Sequence, residues 1–260
     1  MATFLFDKII FGPVKSRRLG VSLGVNLLPE AKKVCNFNCI YCECGWSQPV
    51  EKQGGYLPLR EEVAEHLGSR LQEMKVRGEQ PDVITFAGNG EPTLHPDFSE
   101  IIDDCIHLRN QFFPGAKIAV LSNATTITNP AIKDALMKVD MNILKLDSVF
   151  DETVKIHNQP RMGLHMEELI GNLCKFEGKL IIQTLFLRGK LGNRNIDNTT
   201  SAELNGWLQA LERIRPSSVM IYTISRDTPV GGFLKKVPLE ELNHIASMVE
   251  KLGIPAQVSG

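Results

Sequence analysis

The chain has 260 residues, 43% of them hydrophobic and 23% charged, the composition of a soluble globular protein with enough length for one large core. Lys and Arg number 29 against 30 for Asp and Glu, and the formal charge of −1 excludes a polycation that binds nucleic acid by charge alone. No window reaches the roughly 18 apolar residues of a membrane span. Asp7 and Lys8 break the apolar N-terminal stretch and no small-residue cleavage site follows, so neither a signal peptide nor a membrane partner is expected, and the expected compartment is cytoplasmic.

Short apolar runs alternate with helical periodicity along the rest of the chain. A first strand is expected over 21–28 (VSLGVNLL), then a helix over 59–74, and a strand over 82–87 (DVITFA) that stops at Gly88. Pro96 and Asp97 suit a helix start, which places a helix over 98–112 ahead of a strand at 117–122. Helix 130–139, strand 141–147, helix 166–176, strand 179–187, helix 201–214, strand 218–224 and helix 239–252 complete the series, and IPAQV near the end reads as a possible further strand. Such runs fit strands buried on both faces, and successive β/α units imply parallel strands with right-handed crossovers. Six units fall two short of a closed eightfold barrel, so the expected fold is α/β, a partial (β/α)6 TIM-like barrel with parallel strands; a flat doubly wound sheet is the alternative. Both collect ligands at the carboxyl ends of the strands.

The chemistry-bearing residues sit at those ends. Of six cysteines, Cys35, Cys39, Cys42 and Cys44 fall within ten residues, while Cys105 and Cys174 lie in helical patterns, so the cluster reads as metal binding. KVCNFNCIYCECG spaces three thiols as C-x3-C-x2-C. Three thiolates can hold three irons of a cubane and leave the fourth iron a position open for chemistry. The competing reading is structural zinc with Cys44 as fourth ligand, which crowds one ten-residue loop around a single ion.

After the second strand, AGNGEPTL offers Gly88 and Gly90 for positive φ and close backbone approach, and Glu91 is biased to extended backbone by Pro92. His95 reads as a capping or packing residue. Ser122 and Asn123 end the third strand. Lys145 and Asp147 lie two apart on one strand face, where an ion pair or a Schiff-base lysine are the two readings. Gln183 interrupts an apolar run and needs a hydrogen-bonding partner. Arg17 and Arg18 precede the cysteine loop, and Tyr222, Thr223 and Arg226 end the last strand; arginines there can hold carboxylate or phosphate.

The cysteine spacing, with Tyr41 just before the third thiol, resembles the signature of the radical S-adenosylmethionine (SAM) superfamily. The GNGE run resembles that superfamily's GGE motif with Asn89 in place of the second glycine. FGPVKSRRLG, LKLDS, HNQPRMG and YTISRDTP extend the likeness over most of the chain to iron–sulfur oxidoreductases related to the wyosine-forming tRNA enzymes.

The resemblance implies a 4Fe-4S cluster on Cys35, Cys39 and Cys42, and S-adenosyl-L-methionine oriented by Gly88, Asn89, Gly90 and Glu91. Ser122, Asn123 and Gln183 are the candidates for its ribose and carboxylate, and Lys145, Asp147, Arg17 and Arg226 for the substrate. It implies reductive cleavage of the cofactor to a 5′-deoxyadenosyl radical that takes hydrogen from a small-molecule, nucleoside or tRNA substrate, with a flavodoxin- or ferredoxin-type electron donor as partner. No cysteine precedes Cys35, so the second cluster of the wyosine enzymes is not expected. One domain over 1–260 is expected: an N-terminal segment and first strand (1–30), a cluster-binding loop (31–58) and the remaining β/α units (59–260). Two other functions compete: an activase of a glycyl-radical enzyme, and a metal-stabilised binding module without turnover.

Overall fold

The computed structural model describes residues 4–16, 18–47 and 55–260. Strand β1 (Ile10–Ser16) pairs antiparallel with β2 (Gly20–Val25). There follow α1 (Arg60–Val76), β3 (Val83–Phe86), α2 (Phe98–Phe112), β4 (Lys117–Ser122), α3 (Pro130–Lys138), β5 (Met141–Lys145), α4 (Asp151–His157) and α5 (Met166–Cys174). The chain continues through β6 (Ile181–Leu191), β7 (Arg194–Asp197), α6 (Ser201–Ile214), β8 (Ser218–Thr223), β9 (Leu234–Lys236), α7 (Leu239–Glu250) and β10 (Ala256–Ser259). Strands β2, β3, β4, β5, β6, β8 and β10 run parallel in that spatial order, with β1 on the β2 edge, in a curled half-barrel. The expected partial barrel is the fold observed, with IPAQV supplying the last parallel strand.

Two strand faces carry two cores. On β3, Ile84 and Phe86 face the helices and pack with Leu67 and Leu71 of α1 and Ile102 of α2. The alternate positions point inward: Val83, Ala119, Ile143, Ile181 and Met220 form a separate apolar layer that plugs the barrel. This is the period of two that a pleated strand imposes. Two residues further along β5, β6 and β8 the inward positions are Lys145, Gln183 and Tyr222, so polar chemistry begins just above the plug.

Sequence cues set the helix starts. Asn129 caps α3 by accepting the Ala131 N–H, with Pro130 in the first turn, and Thr200 caps α6 by accepting the Glu203 N–H. Four elements were outside the expected series. β1 contains Pro13 and has no fully buried residue, and α4 spans only 7 residues, too short for periodicity to register. β7 and β9 are short strands pairing antiparallel with the end of β6, which runs on to Leu191 beyond the expected limit at 187.

Candidate functional site

The cysteine loop is bound to the barrel rim by backbone hydrogen bonds. Val34 and Gly90 form a parallel bridge, with Val34 N–H donating to Asn89 O at 2.8 Å and Glu91 N–H to Val34 O at 3.1 Å. On the other flank, Phe37 bridges Pro160, Ile40 N–H donates to His157 O at 2.9 Å, and Arg161 N–H donates to Asn36 O at 2.9 Å. Gly90 has φ +141°, and a Cβ there would lie 1.8 Å from Val34 O; Gly88 has φ +149°, and its Cβ would lie 2.4 Å from Asn26 Oδ1. The close approach these glycines permit is therefore to the protein's own loop and strand end.

Cys35, Cys39, Cys42 and Cys44 line one cavity with Lys33, Gly88, Gly90, Glu91, Ser122, Asn123, Lys145 and Gln183. All four thiols are free. Burial pushes the Cys35 thiol up to about 12 and raises Cys39 as well. Cys42 is drawn down, first by a hydrogen bond from Cys44, whose own thiol is pushed up and also donates to Gly88 O at 3.4 Å. Lys33 is 3% exposed and donates from Nζ to Gly45 O at 2.9 Å. Burial pulls its ammonium down, but the charges of Cys42, Cys35 and Cys39 outweigh that and hold it above its ordinary value. A buried cation thus stands among the three motif cysteines.

Across the cavity, Glu91 accepts from Thr93 Oγ1 at 2.6 Å and from Asn123 N–H at 2.7 Å. Burial pushes its carboxyl up against those hydrogen bonds, and no cation is paired with it among the described residues. Asn123 Nδ2 donates to Asn36 Oδ1 at 2.6 Å and lies 3.7 Å from Cys35 Sγ, tying the β4 end to the cysteine loop. Gln183 is buried, and no protein group among the described residues bonds its side-chain amide, which faces the cavity.

Between loop and barrel lies a buried polar knot. Tyr41 OH donates to Asp147, Lys145 Nζ donates to Tyr41 OH at 3.0 Å, and Lys145 stands 3.5 Å from Asp147 Oδ2. Asn158 Nδ2 donates to Asp147 Oδ2 at 2.7 Å and to Cys39 Sγ at 3.4 Å, and Leu185 N–H donates to Asp147 Oδ1 at 3.0 Å. Burial alone would lower the Lys145 ammonium, but Asp147 and Tyr222 hold it well above its usual range. Of the two readings of Lys145, the ion pair with Asp147 is the arrangement present.

The structure thus brings together the motif cysteines, Gly88, Gly90, Glu91, Ser122, Asn123, Lys145 and Gln183, with Asp147 directly behind. Asn89 is not among the cavity's lining residues: its side chain is fully buried and bonds Phe6 and the Pro29 carbonyl. Arg226 lines a neighbouring cavity and pairs with Glu43 at 2.7 Å. Arg17 lies outside the described residues, while Arg18 lines that second cavity. His95 caps, as expected, accepting the Asp97 N–H and bonding the Pro58 carbonyl. Lys33 and Asn158 are the site residues that sequence reasoning did not assign.

The Radical SAM superfamily model matches residues 32–176, from the cysteine loop through α5. The chain belongs to the radical SAM superfamily. It is 33% identical over 223 residues to a UPF0026 protein of Helicobacter pylori strain J99, covering 84% of this chain and 67% of that one. A UPF0026 protein of Synechocystis is 30% identical over 225 residues, covering 85% and 77%. A second Helicobacter pylori relative is matched over only 57% of its length. Among solved structures, a radical SAM methyltransferase from Sphaerobacter thermophilus aligns with a TM-score of 0.67 at 14% identity, over 92% of this chain and 65% of that one. Streptococcus suis SuiB bound to S-adenosylmethionine aligns at 0.62 and 15% identity, over 90% and 50%. At those identities the likeness is one of fold. This radical SAM enzyme thus belongs to a class that uses a 4Fe-4S cluster with S-adenosylmethionine and needs a reductant and a substrate. No helix among the described residues is long and apolar enough to cross a membrane.

Proposed function

We propose that this chain cleaves S-adenosylmethionine reductively on a 4Fe-4S cluster held by Cys35, Cys39 and Cys42, and uses the resulting 5′-deoxyadenosyl radical to take hydrogen from a substrate. The observation that carries the reading is the convergence of those three thiols with Glu91 and Gln183 on one cavity at the carboxyl ends of the strands.

The residues present fit the two groups. Cys35, Cys39 and Cys42 line one cavity, which suits donors that each take a different iron of one cluster. Lys33 offsets the negative charge that three thiolates would bring. Glu91, buried without a cation, is suited to an ammonium group, and Gln183 offers an unused amide to a carboxylate or ribose. A cluster held by Cys35, Cys39 and Cys42 would supply one-electron reduction of the cofactor's sulfonium. The protein's part is positioning: Asn123 and Asn158 hold the loop against β4 and β5, and the apolar plug below excludes water. Residues 1–260 act as one radical domain, a reading supported by a single sheet that includes all ten strands. The reductant is a flavodoxin- or ferredoxin-type protein in the cytoplasm, and the substrate a small molecule or nucleoside.

The test is anaerobic reconstitution with iron and sulfide, reduction, addition of S-adenosylmethionine and assay of 5′-deoxyadenosine. The product is expected from the native protein and not from Cys39→Ala. A zinc-loaded protein that yields none when reduced would leave the metal-stabilised binding module as the reading.

A further inference from the structure

A second cavity, of about 240 Å³, shares Tyr41 and Cys42 with the first and is otherwise lined by Arg18, Glu43, Leu185, Tyr222, Thr223, Ile224, Ser225 and Arg226. Arg18 enters it from the β1–β2 turn. Its own carbonyl accepts from Gln257 of β10 at 3.3 Å, so this turn reaches from one edge of the open sheet to the other. Its guanidinium lies over the Tyr222 ring, 4.5 Å from the centroid, and Nη1 is buried with no hydrogen-bonding partner. No carboxylate pairs with Arg18 among the described residues. The other arginine there, Arg226, is neutralised by Glu43 at 2.7 Å.

The residue as a whole is half-buried, but a guanidinium nitrogen taken out of water without a partner is costly unless an anion completes it. Arg226 and Glu43 offset each other in the lining and leave the Arg18 guanidinium without a carboxylate partner, while Glu43 on the rim opposes a polyanion. Arginine's planar fork matches the oxygens of carboxylate and phosphate alike.

We infer that the second cavity is an oxyanion subsite, in which Arg18 holds the carboxylate or phosphate of a small-molecule substrate beside the cavity of the motif cysteines. This deepens the proposed function by giving the substrate's class, and it rests on that reading only in assigning the cavity to substrate. Anion binding is measured without cofactor cleavage, so a failure here and a failure of the radical chemistry show in different assays.

The experiment titrates the reconstituted protein with inorganic phosphate and, separately, with acetate, at constant ionic strength, by calorimetry. Saturable binding of at least one anion at a single site is expected, weakened tenfold or more in Arg18→Gln. Which anion binds more tightly tells phosphate from carboxylate substrates. Crystals of the native protein grown with the tighter anion should place it within hydrogen-bonding distance of Arg18 Nη1, a readout that does not depend on the variant folding. Absence of saturable binding, equal binding by Arg18→Gln, or an anion seated only elsewhere would overturn the inference. So would tight binding of an RNA oligonucleotide with steep salt dependence when neither small anion binds, which would make the face a nucleic-acid surface.

Discussion

Val34 and Gly90 lie so close that the Val34 carbonyl occupies the space a Gly90 side chain would need, its oxygen 1.8 Å from the position of a Cβ. The bridge between them fixes the height of the cysteine loop above β3. Gly90→Ala must therefore push the loop away or strain the backbone, at a cost of about 1–3 kcal/mol. Iron and sulfide retained per chain after reconstitution should fall, while far-ultraviolet circular dichroism stays close to native. Full cluster content in Gly90→Ala would show that the bridge does not set the loop.

Lys33 predicts a redox effect. A fixed positive charge beside the cluster stabilises its reduced, more negative form, by about 1–4 kcal/mol for unit charges near 4 Å in media between water and an effective dielectric of 20. Lys33→Met should lower the midpoint potential in a titration followed by electron paramagnetic resonance. Lys33→Arg should restore most of it, whereas a purely structural role for Lys33 leaves the potential of assembled clusters unmoved.

Asp147 is the buried partner of Lys145. Asp147→Asn removes the charge and strands the ammonium, and on the order of 3 kcal/mol of stability should be lost in urea denaturation. Lys145→Met combined with Asp147→Asn should recover a good part of that. If the double variant is as unstable as the sum of the single ones, the two side chains are not energetically coupled.

His157 is 2% exposed, its Nδ1 has no partner, and burial pushes the imidazole down to about 4. The unfolded chain takes up this proton near 6.5 and the folded chain does not, so stability falls as pH drops from about 6.5 toward 4. At about 1.4 kcal/mol per pKa unit the loss reaches on the order of 3 kcal/mol. Comparing urea midpoints at pH 7 and pH 5 checks this, and His157→Phe should lack that part of the pH dependence.

How much of the site could be read from the sequence follows from which interactions are local. The strand period put Lys145 on an inward face because alternation is a property of the backbone, and Gln183 stood out as a polar break in an apolar run. Cysteine spacing identified the metal loop because three ligands on one short segment are nearly self-sufficient. Lys33, by contrast, is indistinguishable in sequence from Lys32 beside it, and only the turn of the loop buries it. Asn89 looked like a ligand contact in its motif, but its side chain is drawn the other way by Phe6, 83 residues earlier. Asn158 reaches Cys39 across 119 residues, a pairing no local pattern carries. Arg18 lines the second cavity while its carbonyl accepts from Gln257 of β10, 239 residues later, a contact no local pattern carries.

Backbone hydrogen bonds at Val34, Asn36, Asn38 and Ile40, none of which involves a thiol, hold residues 34–40 to the rim beside the side-chain contacts of Asn123 and Asn158 to Cys35 and Cys39. The inorganic part of this enzyme is therefore a replaceable component. Oxygen that destroys the cluster leaves a polypeptide still shaped to receive another, so damage calls for repair of the metal centre and not for synthesis of a new chain.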